Sequence, residues 1–326
     1  MFNFAPAIPA RSDLDWCWYL RRQGRAGEVL ERVLHDLGVM DPSGWSDWSP
    51  SALTDTGSPI EMWFSAGQSG LQLMTAIGDP ARGHAHQVDQ VCRVMAERGG
   101  KTPDAALRDV IAAAQGSTSL SYGAWLGLRV IGARVETKLY AELPEGADDL
   151  SALMSPTDVA PVMETLGDTA HATMIGYDGH TGQTTIYGET DQTIATALPM
   201  LAALAHVPVD MLALAVERLV GDPSVSDLPP PRLGFSFAMQ EAGKPPELTL
   251  LFAANTLFKN DEQAGQRIKA CGGEALDGYG ALIDNLPHAP CCQLHHGRIG
   301  LTARQEGAPV LSVGVAAPWH PAADSI

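Results

Sequence analysis

Five times along the chain, two strand-like segments joined by a turn alternate with helical segments. The strand pairs are PIEMWFSA (59–66) with LQLMTAIG (71–78), GAWLGLRVI (123–131) with ARVETKLYAEL (133–143), and HATMIGYDG (171–179) with QTTIYGE (183–189). LGFSFAMQE (233–241) pairs with ELTLLFAAN (247–255), and CCQLHHGRIGLTARQ (291–305) with PVLSVGVAAP (309–318). Turn-forming stretches such as AGQSG, GHTG, EAGKPP and EGA separate the partners. Helical patterns fall near 84–98, 103–115, 146–154, 157–166, 191–204, 208–220, 260–272 and 274–286, with an opening one at 13–38. The pairs begin at 59, 123, 171, 233 and 291, a period of about 50–65 residues.

Ten consecutive strands leave two raw edges unless they close. The expected fold class is therefore α+β: a ten-stranded antiparallel closed β-barrel ringed by helices, wide enough for a ligand-sized lumen. Residues 1–326 read as one such domain, with a helical segment to 57, barrel repeats over about 58–319 and a short tail. The alternative is two packed α+β domains divided near the connector SDLPPPR (226–232).

An outer coat of helices reverses the usual sense of alternation. In ARVETKLYAELPEG, Val135, Thr137, Leu139, Ala141 and Leu143 would meet the helices. Arg134, Glu136, Lys138, Tyr140 and Glu142 would then point into the barrel. Glu61 and Trp63 share a face by the same rule, which places a carboxylate beside an indole inside the chamber. Arg129, Arg134, Arg232 and Arg298 are further cations that could point inward, the alternative being surface arginines at the barrel ends, and Arg298 shares its alternating face with His296, Gly300 and Thr302. The adjacent rings of His295 and His296 would lie on opposite faces.

Composition excludes several roles. The net charge of −17 opposes nucleic acid and anionic membrane surfaces. Apolar runs stop short of the roughly 18–20 residues that span a bilayer, and no secretory leader is visible at the start. The five cysteines are odd in number and lack zinc spacing, which predicts reduced thiols and a cytoplasmic protein. His84 and His86 in GHAH, with Asp89, make only a weak metal motif, so no metal site is expected.

Local motifs supply a resemblance. SPIEMWFSA resembles the P-x-E strand of the ABBA-fold aromatic prenyltransferases, in their dimethylallyltryptophan synthase-like branch. TKLYAELP resembles that family's K-x-Y strand, and MIGYDGHTGQTTIYGE its next hairpin. The resemblance implies a cytoplasmic transferase of secondary metabolism that moves a dimethylallyl or longer prenyl group from an allylic diphosphate to an indole or other aromatic acceptor. It implies that Glu61 accepts the acceptor N–H, Lys138 holds diphosphate, and Tyr140 and Tyr187 shield the allyl cation.

Other matching positions depart from the family pattern: Gln72 replaces an Arg, and Gln183-x-Thr185-x-Tyr187 replaces R-x-K-x-Y. Leu250-x-Phe252 replaces a polar-x-Tyr pair, and Gly314 a Tyr. Trp63, Gln72, Arg129, Gln183, Thr185, Arg232, Phe252, His296 and Arg298 complete the expected substrate-binding set. The resemblance leaves Mg2+ dependence and oligomeric state open. Two rivals use the same scaffold: a barrel running acid–base cyclisation or isomerisation of an aromatic metabolite, and a non-catalytic binder of a hydrophobic aromatic ligand.

Overall fold

The computed structural model describes residues 23–39, 51–77, 84–116, 119–144, 170–221, 233–240, 244–272, 275–284 and 294–316 apart from 69, 85, 277 and 306, together with 20 and 286. Ten strands follow the sequence pairs closely: β1 (Ile60–Ser65), β2 (Leu71–Ala76), β3 (Ala124–Ile131), β4 (Arg134–Glu142) and β5 (Ala170–Asp178). The second half supplies β6 (Thr184–Thr190), β7 (Leu233–Ala238), β8 (Glu247–Ala253), β9 (His296–Thr302) and β10 (Val310–Ala316). Each strand pairs antiparallel with its neighbours in sequence, and β1 pairs with β10, so the sheet closes into a barrel. Strand β6 pairs directly with β7, so the strands on either side of the Pro-rich connector belong to one closed sheet.

Eight described helices accompany the barrel: α1 (Gly24–Asp36), α2 (Gln87–Glu97), α3 (Ala105–Gly116), α4 (Ile194–Leu204), α5 (Val209–Val220), α6 (Ala254–Leu257), α7 (Asp261–Gly272) and α8 (Tyr279–Ile283). The helices expected at 146–154 and 157–166 lie outside the described residues. Helix α5 stops where Gly221, at φ 76°, takes the left-handed conformation that ends many helices.

The principal core lies between barrel and helices. Outward residues such as Met62, Leu126, Leu139, Phe235, Leu250 and Val313 pack with Leu30 and Leu34 of α1, Met95 of α2, Leu201 of α4, Val216 of α5 and Ile268 of α7. Burial of this apolar surface, worth roughly 25 cal/mol per Å2, fixes which strand face points out. The remaining face can therefore be polar, and it lines a cavity of about 690 Å3. Among the described residues no helix is long and apolar enough to cross a membrane.

Candidate active site

Alternation along β4 turns Glu136, Lys138 and Tyr140 into the cavity. The Lys138 ammonium donates to Tyr187 Oη at 3.1 Å and to Thr185 Oγ1 at 3.2 Å, both on β6. It lies 5.1 Å from the Tyr140 ring centroid and 5.5 Å from that of Tyr187. The two rings stand 5.8 Å apart at 55°. Glycines make the room: a Cβ on Gly127 would meet the Tyr140 ring at 2.8 Å, and one on Gly176 the Lys138 Cε at 2.8 Å. Burial pushes both phenols above their ordinary pKa, so each remains a neutral hydroxyl.

Glu61 of β1 lines the same cavity and is 3% exposed. Its Oε2 accepts a 2.8 Å hydrogen bond from the indole N–H of Trp63, its neighbour on the same strand face. The carboxylate rests against backbone where Gly297 and Gly314 have no side chain; a Cβ there would lie 2.0 Å and 2.4 Å from Oε1. Burial pushes the carboxyl up to about 7, while the Trp63 bond, the Arg298 charge and the Arg298 backbone N–H pull the other way.

An aromatic and thioether belt of Trp63, Trp125, Met74, Met174, Tyr140 and Tyr187 lines the cavity, with Leu53 packed on it. Tyr122 stacks on Trp125, centroids 3.7 Å apart. The loop carrying Tyr122 is fixed by Glu142, whose carboxylate accepts the backbone N–H groups of Ser121, Tyr122 and Gly123 at 2.7–2.8 Å.

The remaining expected residues divide. Gln72, Arg129, Gln183 and Arg298 line the cavity. Arg129 lies 3.8 Å from Glu136, and Arg298 lies 3.4 Å from Glu189. The amide of Gln183 donates to the Met239 carbonyl. Arg134 sits at the exposed strand end, 2.6 Å from Glu136. Arg232 lies outside the described residues.

Two assignments are corrected. Phe252 is buried in the outer core with Leu248 and Leu250; the lumen receives Glu247, Thr249, Leu251 and Ala253 instead. His296 also points outward. Residues Ile299 and His296 of β9 pair with Val313 and Val315 of β10, so one extra residue sits in β9. This bulge keeps Arg298 lumenal but flips His296 to the outer face. There His296 is fully buried; its Nδ1 lies 2.5 Å from Asp261 Oδ1 and its Nε2 2.7 Å from the Tyr279 hydroxyl. His295, expected on the opposite face, shares the same partner, its Nδ1 lying 3.0 Å from Asp261 Oδ2.

Trp125 was legible, since the alternation that turns Arg129 inward does the same for it. Tyr122, Leu53 and Asp55 reach the cavity from irregular segments, where no periodicity marks them.

No family model matches the chain, and a search of curated proteins finds no match. Solved structures do match. A 5-dimethylallyl tryptophan synthase from Streptomyces coelicolor, in complex with DMASPP and Trp, superposes with a TM-score of 0.73 at 15% identity, covering 94% of this chain and 95% of that one. A 6-dimethylallyltryptophan synthase from Micromonospora olivasterospora, also with DMASPP and Trp, gives 0.66 at 16% identity, over 93% and 96%. AnaPT from Neosartorya fischeri gives 0.67 at 14% identity, over 95% of each chain. With ten antiparallel strands closed through β1 and β10 and helices outside, the chain has the ABBA barrel fold of the aromatic prenyltransferases.

Proposed function

We propose that the barrel is the reaction chamber of a cytoplasmic aromatic prenyltransferase, taking an allylic diphosphate and an indole or similar arene. The observation that carries this reading is the Lys138 site. A place that holds an ammonium between two tyrosine rings can also hold an allyl cation, at about 0.5–2 kcal/mol per ring. Lys138 would hold the diphosphate, with Arg298 and Arg129 as the other cations within the cavity. Glu61 would orient the acceptor through its N–H, and Trp63, Trp125 and Met74 would supply the apolar wall against which the ring lies.

In the reaction the carbon–oxygen bond of the donor breaks, and its electron pair leaves on diphosphate. The allyl carbon then bonds to a ring carbon of the acceptor, and the ring proton passes to Glu61 or to the diphosphate. Positioning the two partners can contribute about 7–11 kcal/mol. A closed barrel that excludes water protects the cation meanwhile.

The test is incubation with dimethylallyl diphosphate and indole or tryptophan, read by mass spectrometry. A prenylated product is expected, and Lys138→Ala should lower kcat/KM by about 100-fold or more, as loss of one transition-state charge partner does. Absence of product, with no thermal stabilisation by millimolar pyrophosphate, would remove the reading, because a competent site binds its leaving group.

The charge of the lining favours a second reading. Among the described lining residues, Asp55, Glu61, Glu136, Asp178, Glu189 and Glu247 face only three cations, Arg129, Lys138 and Arg298. A chamber of that balance suits acid–base isomerisation or cyclisation of an aromatic metabolite by Glu61 and Lys138. Stabilisation by indole but not by pyrophosphate would support it.

A further inference from the structure

We propose that Trp63 is an internal competitor for the acceptor subsite: its indole N–H holds Glu61, and an acceptor N–H reaches that carboxylate only by displacing it. The inference rests on the reading of Glu61 as the acceptor's partner and adds what the acceptor must overcome.

The two residues are obligate neighbours. Positions 61 and 63 share one face of β1, and the chain's own indole occupies Oε2 at 2.8 Å. The other oxygen is pressed into the backbone gap left by Gly297 and Gly314. With 3% of Glu61 exposed, the carboxylate turns almost no free surface to the cavity. Trp63 differs: it is half-buried and lines the cavity, so its ring has space to turn where the carboxylate has none.

The exchange has a distinctive consequence for selectivity. An indole acceptor breaks one N–H to carboxylate bond and makes another of the same kind, so its N–H adds almost nothing to affinity. An arene without an N–H leaves the Trp63 bond in place and binds by packing alone. Trp63 thereby sets how strongly the barrel distinguishes N–H acceptors from others.

Calorimetric titration with indole and with 1-methylindole tests this without any diphosphate. The wild type should bind the two within about threefold. In Trp63→Phe the oxygen that Trp63 held is available, and indole should bind about tenfold tighter than 1-methylindole, the worth of a hydrogen bond to a charged group. Adding Glu61→Gln to that variant should narrow the preference again. A general gain of space in the Phe variant would tighten both ligands alike, which overturns the proposal, as would tenfold discrimination already present in the wild type.

A measurement on the unaltered ring guards against misfolding of the variant. The indole N–H resonance that Glu61→Gln moves should shift when indole saturates the wild type, and not when 1-methylindole does. A resonance unmoved by saturating indole overturns the exchange. Prenyl transfer observed alongside that result leaves the transferase reading intact. Failure of prenyl transfer with the exchange observed refutes only the transferase.

Discussion

Glu61 is a carboxylic acid in a place that disfavours its own charge. Burial raises its pKa from 4.5 to about 7, outweighing the Trp63 and Arg298 contributions. A raised pKa means that folding favours the protonated form. The carboxyl therefore weakens the fold progressively as pH climbs from about 4.5 through 7, and has no such effect below that window. Glu61→Gln should accordingly stabilise the protein at pH 8, by on the order of 2–3 kcal/mol, and change it little at pH 4. Urea unfolding at the two pH values measures this; equal effects at both would remove the raised pKa. Activity should follow the opposite course, rising through pH 7 as the carboxylate forms, with that limb absent in Glu61→Gln. The lumenal position of Glu61 could be anticipated because β1 alternates cleanly, IEMWFS placing Glu and Trp together against three apolar neighbours. That Trp63 would already hold it could not, since alternation gives a shared face but no rotamer.

Strand β9 is where regular alternation fails, and the failure has a structural purpose. In HHGRIGLT a two-residue period counts back from Thr302 through Gly300 and Arg298 to His296, all lumenal. The extra residue beside Gly297 breaks the count, and a glycine inside a strand pattern is the one sequence signal of such a bulge. Its effect is to dock the start of β9 onto α7: Asp261, the first residue of that helix, binds both imidazoles and accepts both backbone N–H groups at 3.1 Å. Burial alone would raise the Asp261 pKa, but these bonds together hold it well below the usual carboxylate range. A lowered pKa contributes stability above about pH 3.8 that is lost as pH falls further. Asp261→Asn should cost about 1.5–3 kcal/mol at neutral pH, the worth of hydrogen bonds to a charged group. It should also flatten the acid limb of the stability curve, read by denaturation between pH 2 and 7. In β8 the difficulty is different. ELTLLFA is apolar at four consecutive positions, 250–253, so period alone cannot choose a face there, and matching Leu250-x-Phe252 to a family pattern shifts the lumen by one residue.

Closure of ten strands was legible because raw edges are costly and the repeat leaves no other element to cover them; the charge inside the closed barrel was not, because it depends on which loops and strand ends reach the lumen. The whole chain carries −17, and the described lining adds six carboxylates to three cations. A diphosphate approaching this protein therefore meets repulsion at long range and attraction only near Lys138, Arg129 and Arg298. Salt separates the two contributions, since the Debye length shrinks from about 30 Å at 0.01 M to about 8 Å at 0.15 M. Distant repulsion is screened first, while the short contacts to Lys138 persist. The association rate of pyrophosphate, measured by stopped flow, should then rise several-fold between those ionic strengths. A basic, phosphate-collecting protein would show the reverse. Glu247 begins β8 and lines the same cavity as Lys138, and the charges of Arg304 and Lys138 both act on its carboxylate. Glu247→Gln should tighten pyrophosphate on the order of threefold by removing one repelling charge at that range. A rate that falls with salt, together with an unchanged affinity in Glu247→Gln, would mean that the carboxylates are neutralised by their partners and that the three cations govern the chamber.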